Sequence, residues 1–131
     1  MCIRDSGWAC AEFNLLLRDI LFFEVGEDTA PHIFIAPGVM PHWLGEGQSV
    51  EVSGAPTIFG APFGYRLTHK LAAREIEITI TTSPPGAVSF VFPCRFGAGV
   101  ASVIADGVAL AVSGNDVRLP AGLRNARVTY H

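Results

Sequence analysis

Two periodicities divide this chain. From about Ala9 to Val25 the residues are rich in Leu, Ala, Phe and Glu and contain no Gly or Pro, and Gly26 then marks a stop. That composition predicts a helix. Its polar residues, Glu12, Asn14, Arg18, Asp19 and Glu24, do not gather on one face. A helix that is apolar on nearly every side is normally surrounded by other structure. The remaining chain is too short and too β-rich to surround it, so the pattern predicts a larger helical domain beside it.

Beyond Pro31 the period changes to two, with short alternating runs separated by turn signals. His32 to Ala36 stops at Pro37-Gly38, and Ser49 to Ser53 sets Val50 and Val52 against Glu51. Phe63 to Leu71 places Phe63, Tyr65, Leu67, His69 and Leu71 opposite Arg66, Thr68 and Lys70. Glu75 to Thr82 alternates Ile76, Ile78 and Ile80 with Glu77, Thr79 and Thr81. Pro84-Pro85-Gly86 turns into Val88 to Phe92, whose Val88, Phe90 and Phe92 share a face. Val100 to Ile104 and Val108 to Val112 flank Asp106-Gly107, a two-residue hairpin signal because both turn positions need positive φ. Val117 to Leu119 and Ala126 to Tyr130 complete the set. Eight or nine such strands predict an antiparallel β-sandwich, preceded by one α-helix.

Composition narrows the class. Half of the 131 residues are hydrophobic and 16% are charged, which excludes a disordered chain. A formal charge of −3 with scattered Lys and Arg gives no nucleic-acid footprint. The apolar run Ile20-Leu21-Phe22-Phe23 follows Arg18-Asp19 and is too short for a bilayer span. Met1-Cys2-Ile3-Arg4-Asp5-Ser6, written as ATG-TGT-ATA-AGA-GAC-AGN, reads as the end of a sequencing-library transposon adapter. On that reading residues 1–6 are an artefact and the natural frame opens upstream. The chain is then expected to be a C-terminal fragment whose compartment is unreadable. Cys10 and Cys94 remain, neither a disulfide framework nor a zinc set.

Several blocks stand in a suggestive order: Pro37-Gly38-Val39-Met40-Pro41-His42-Trp43-Leu44, Gly47 to Val52, and Ala55-Pro56-Thr57-Ile58-Phe59-Gly60. They are followed by Val100 to Val112 around Asp106-Gly107, Asp116 to Gly122, and Val128-Thr129-Tyr130. This order resembles the C-terminal region of bacterial six-hairpin glycosidase-like proteins. The resemblance implies an (α/α)6 toroid followed by a β-sandwich, with the helix before Gly26 as the toroid's last. Asp106-Gly107 stands where the family pattern has Asn-Gly, and the toroid's catalytic carboxylates have no counterpart here.

Candidate chemistry is sparse. Glu75 and Glu77 share a strand face, but it lies opposite the isoleucine stripe and reads as solvated, where a general acid lacks the burial that raises its pKa. Glu24, Glu27 and Asp28 read as a surface connection. His32, His42, His69 and His131 have no metal-ligand spacing. Gly97-Ala98-Gly99 precedes a strand, not the helix a phosphate loop needs. Cys94, in phase with Phe92, reads as a small buried hydrophobe.

Trp43, with Phe59, Phe63 and Tyr65, is the aromatic group that can stack on a sugar, although packing at a domain junction is the preferred reading. Residues 7–30 are thus expected to be the terminal helix and connection of a truncated toroid, and 31–131 an accessory sandwich. The sandwich would be non-catalytic and without cofactor or metal, its partner being the toroid of the same chain. The alternative is a stand-alone carbohydrate-binding or adhesion sandwich. Neither expectation includes a nucleic acid or a membrane as partner.

Overall fold

The computed structural model describes residues 15–26, 31–84 and 87–131. Met1 to Ser6, Cys10, Glu27, Asp28, the Pro85-Gly86 turn and the expected helical stretch from Ala9 to Asn14 lie outside them. Residues 15–21 are helical. Ten strands follow: β1 (Phe22–Val25), β2 (His32–Ile35), β3 (Ser49–Ala55), β4 (Phe63–Lys70), β5 (Glu75–Thr82), β6 (Ser89–Pro93), β7 (Val100–Ala105), β8 (Val108–Leu110), β9 (Asp116–Leu119) and β10 (Asn125–Tyr130). They form a four-stranded sheet, β1-β2-β6-β9, and a six-stranded sheet, β3-β4-β5-β10-β7-β8. The chain is mainly β and its two sheets pack as a sandwich, as the alternation predicts.

Three expectations change. The helix does not run to Val25, because Phe22–Val25 is a strand whose Phe22 pairs with Ile35 and Val25 with His32. Aromatic and β-branched residues fit a pleated ladder as readily as a helix, and here the neighbouring strand decides. The sandwich is not wholly antiparallel either: β2 and β6 run parallel, with His32 opposite Ser89 and Phe34 opposite Val91. Between them the chain crosses to the other sheet for β3, β4 and β5, the long crossover that parallel neighbours require. Finally, Leu71 lies past the end of β4 in a turn and is 53% exposed, so it leaves the face it was expected to share.

The core follows the period-two pattern. Phe63, Tyr65, Leu67, Ile76, Ile78, Phe90 and Val128 are fully buried. Phe63 joins the two sheets, its ring 5.7 Å from Phe22 and 5.8 Å from Phe90. Asp106 and Gly107 take φ of 47° and 83°, as the hairpin signal requires. Gly64 is obligatory for a different reason: a Cβ there would lie 2.6 Å from Thr81 Oγ1 and 3.0 Å from the Val52 carbonyl. It sits where the register between β4 and β5 shifts.

Candidate functional site

Backbone hydrogen bonds join the helical segment to the sandwich. A helix ends with carbonyls that have no partner inside it. Here the turn after β2 supplies them: Ala36 N–H donates to Leu21 O (2.8 Å) and Gly38 N–H to Ile20 O (3.0 Å). The buried Tyr65 hydroxyl also donates to Leu21 O, at 2.5 Å, and burial pushes its pKa well above the ordinary tyrosine value. Gly38 permits this approach, since a Cβ there would meet Ile20 Cα at 2.9 Å.

Beyond this collar the helix is uncovered. Leu15, Leu16 and Leu17 are 55%, 58% and 42% exposed. Successive helical residues point about 100° apart, so the three leucines look in three directions and none meets a wall. Phe23, on β1, is 47% exposed.

Glu24 ties this region to the loop after β3. Its side chain is 3% exposed and forms an ion pair with Arg18, while its other oxygen accepts the Ile58 N–H at 2.7 Å. Arg18 also donates to the Pro56 carbonyl (3.2 Å) and lies 4.6 Å from the Phe22 ring centre. Ile58 itself is 65% exposed. Glu24 was placed in a loop cluster with Glu27 and Asp28, yet it belongs to β1 and works as a buried structural tie. Its partnership with Arg18 had no local sequence signal, since the two residues fall in different elements.

Trp43 lies on a short 3-10 turn, Pro41–Trp43, with proline at its start. Its indole is 51% exposed, and the His42 ring stands edge-on to it at 6.2 Å. The residue after it is anchored: Leu44 is buried and its carbonyl accepts a hydrogen bond from His69 Nδ1 at 2.7 Å. A carbonyl can only accept, so Nδ1 donates to it, while Nε2 shares a hydrogen bond with the Tyr130 hydroxyl, 2.7 Å away. His69 is therefore a satisfied core histidine, packed 4.7 Å from the Phe96 ring.

The aromatic group around Trp43 divides. Phe63 and Tyr65 are fully buried and cannot meet a ligand, Phe59 is half-buried, and Trp43 alone is substantially exposed. Glu75 and Glu77 lie on the outer face of the six-stranded sheet. Lys70 bonds Glu77 at 2.6 Å, and Arg127 approaches Glu75 at 3.3 Å. The Lys70 hydrogen bond holds Glu77 below its ordinary pKa, the opposite of what a general acid needs.

Burial raises the Cys94 thiol pKa, which disfavours the thiolate. Gly97 backs against the Tyr130 ring, and Ala98 N–H donates to the His131 carbonyl, so this loop serves the end of β10. Among the described residues no three His, Cys, Asp or Glu come together as a metal site, and no helix is long and apolar enough to cross a membrane.

The arrangement is thus a projecting apolar helix, a collar of hydrogen bonds and an anchored, half-exposed tryptophan. It is suited to contact. No family model, curated protein or solved structure matches the chain.

Proposed function

We propose that this chain is a non-catalytic accessory β-sandwich of a six-hairpin glycosidase-like, carbohydrate-active enzyme, and that it packs its helical side onto the enzyme's helical toroid. The observation that carries this reading is the exposure of Leu15, Leu16 and Leu17, which point in three directions from a helix that leads directly into β1. A soluble surface rarely leaves such a contiguous group open unless another body covers it. Apolar burial at roughly 25 cal/mol per Å² drives the attachment. The blocks Pro37 to Leu44 and Ala55 to Gly60, which carry the family resemblance, flank this same region through Gly38, Pro56 and Ile58. The reaction itself belongs to carboxylates of the toroid.

Recovering the reading frame upstream of Gly7 tests the proposal. Several helical hairpins are expected; a run of strands, or a genuine start at Gly7, refutes it. The purified chain should turn over no glycoside in a broad panel.

One observation favours a second reading, a stand-alone carbohydrate-binding module: Trp43 is half-exposed on an anchored turn, as a sugar-stacking platform would be. Fluorescence titration with soluble oligosaccharides separates the two. Saturable quenching that Trp43→Ala removes supports the module, and unchanged emission supports the accessory domain.

A further inference from the structure

At the opposite edge of the four-stranded sheet from β1 lies β9, whose only strand partner among the described residues is β6. Phe90 faces Leu119 and Phe92 faces Val117 in that pair, and Cys94 N–H donates to Asn115 O at 2.8 Å. In an antiparallel ladder hydrogen-bonded pairs recur at every second residue. Asn115, Val117 and Leu119 therefore direct their backbone groups at β6, while Asp116 and Arg118 direct theirs outward. Pro93, which has no N–H, stands opposite Asp116 and removes nothing from the ladder.

The outward edge is open. A groove of about 260 Å³ separates it from the other sheet, lined by Val100, Val103, Leu110, Val112, Val117 and Arg118. The Asp116 and Arg118 side chains are exposed, and neither has an ion-pair partner among the described residues.

We propose that this edge pairs with itself: two copies of the chain align their β9 strands antiparallel about a two-fold axis at Val117, each Asp116 opposite Arg118 of the second copy. Three physical conditions select this register. Outward-facing backbone groups must meet outward-facing groups, so the axis passes through a residue and not between two. An axis at Asp116 sets two aspartates face to face. One at Arg118 sets two arginines face to face and brings Pro120, which cannot donate, opposite Asp116.

At Val117 both Asp116–Arg118 pairs exchange both backbone hydrogen bonds, and their side chains lie side by side with opposite charge. The interface is isologous and closes on itself, joining two four-stranded sheets into one continuous sheet. Charges of a single sign would protect such an edge from pairing; this alternation of sign fits the strand's own reversed copy.

Analytical ultracentrifugation of the full chain, from roughly 10 µM to roughly 1 mM, tests the proposal over the range in which small interfaces associate. A concentration-dependent dimer is expected, weakening as salt is raised. Asp116→Arg alone and Arg118→Asp alone each oppose like charges and should weaken self-association roughly tenfold or more. Mixed in equal amounts, the two variants should restore the dimer, because one then carries only positive and the other only negative charge along this edge.

Leu16→Ser/Leu17→Ser should leave the dimer intact, which separates it from association through the helix. A monomer throughout the range overturns the proposal. So does wild-type association by either single variant, failure of the mixture to recover, or loss of the dimer in the leucine variant. All four substituted side chains are exposed, so far-UV circular dichroism should be unchanged.

Discussion

The outer faces of the two sheets end in different ways. On the six-stranded sheet the cross-strand rows are charged: Lys70 is opposite Glu75, Arg127 opposite Glu77, and Glu51 opposite Arg66. Lys70 reaches both glutamates and Arg127 closes on Glu75, so these charges are paired within the face. On the four-stranded sheet one row runs Phe23, Phe34, Val91 and only then Arg118. The Phe23 ring stands 6.5 Å from Phe34 and stays half-exposed. The helix that feeds this sheet adds three more exposed leucines. One side of the molecule pairs its own charges, and the other leaves aromatic and leucine side chains exposed, the surface proposed above to pack on a helical domain.

The sharpest way to break this contrast is to show that the half-exposed aromatics carry the fold. Phe63→Ala, in the fully buried position between the sheets, should cost about 4 kcal/mol in denaturant unfolding, whereas Phe23→Ala should cost no more than about 0.5 kcal/mol. Equal losses would mean that Phe23 is core and that the exposed surface is misassigned. Next in size, Glu24→Ala should destabilise by about 2 kcal/mol, because a buried carboxylate that satisfies Arg18 and the Ile58 N–H is lost.

On the charged side, Lys70→Ala should change unfolding stability by less than about 1 kcal/mol, since Lys70 itself is exposed and solvent screens its pairs with Glu75 and Glu77. The sign of its pH dependence follows from Glu77. The folded state lowers that pKa, so its small stabilisation is present above the unfolded carboxylate value of 4.5 and lost as the pH falls through the lower folded value. Lys70→Ala should therefore flatten the acid limb of the stability profile; an unchanged limb would remove Glu77 from the account. The smallest thermodynamic effect should come from Leu16→Ser/Leu17→Ser. It should leave the unfolding midpoint nearly in place while reducing the binding of an apolar fluorescent dye.

These contrasts were unequally legible in the sequence. Alternation located β3 through β10 closely because period two is a local property, and Asp106-Gly107 announced its turn through the positive φ it needs. The switch from helix to strand at Phe22 was hidden, since Ile20-Leu21-Phe22-Phe23 is apolar in either state and only pairing with β2 decides it. The parallel placement of β2 beside β6 is a long-range choice that no local pattern records.

At the site, the lack of a polar face on the helix pointed to the leucines, and Trp43, read with Phe59, Phe63 and Tyr65 as a sugar or domain-junction contact, is the exposed member of that group. Phe63 and Tyr65 were legible as core through their phase with Leu67, so their proximity in sequence to Trp43 carried no functional meaning. The Arg18–Glu24 tie and the bond from His69 to Leu44 join separate elements and become visible only in three dimensions.

Amide hydrogen exchange tests the docking of the helical side most directly, comparing this chain alone with a longer protein that joins it to the helical domain proposed above. In the longer protein, residues 15–25 should become strongly protected while Lys70, Glu77 and Arg127 on the outer six-stranded face exchange as before. Unchanged exchange at residues 15–25, or new protection confined to the charged face, would contradict the account.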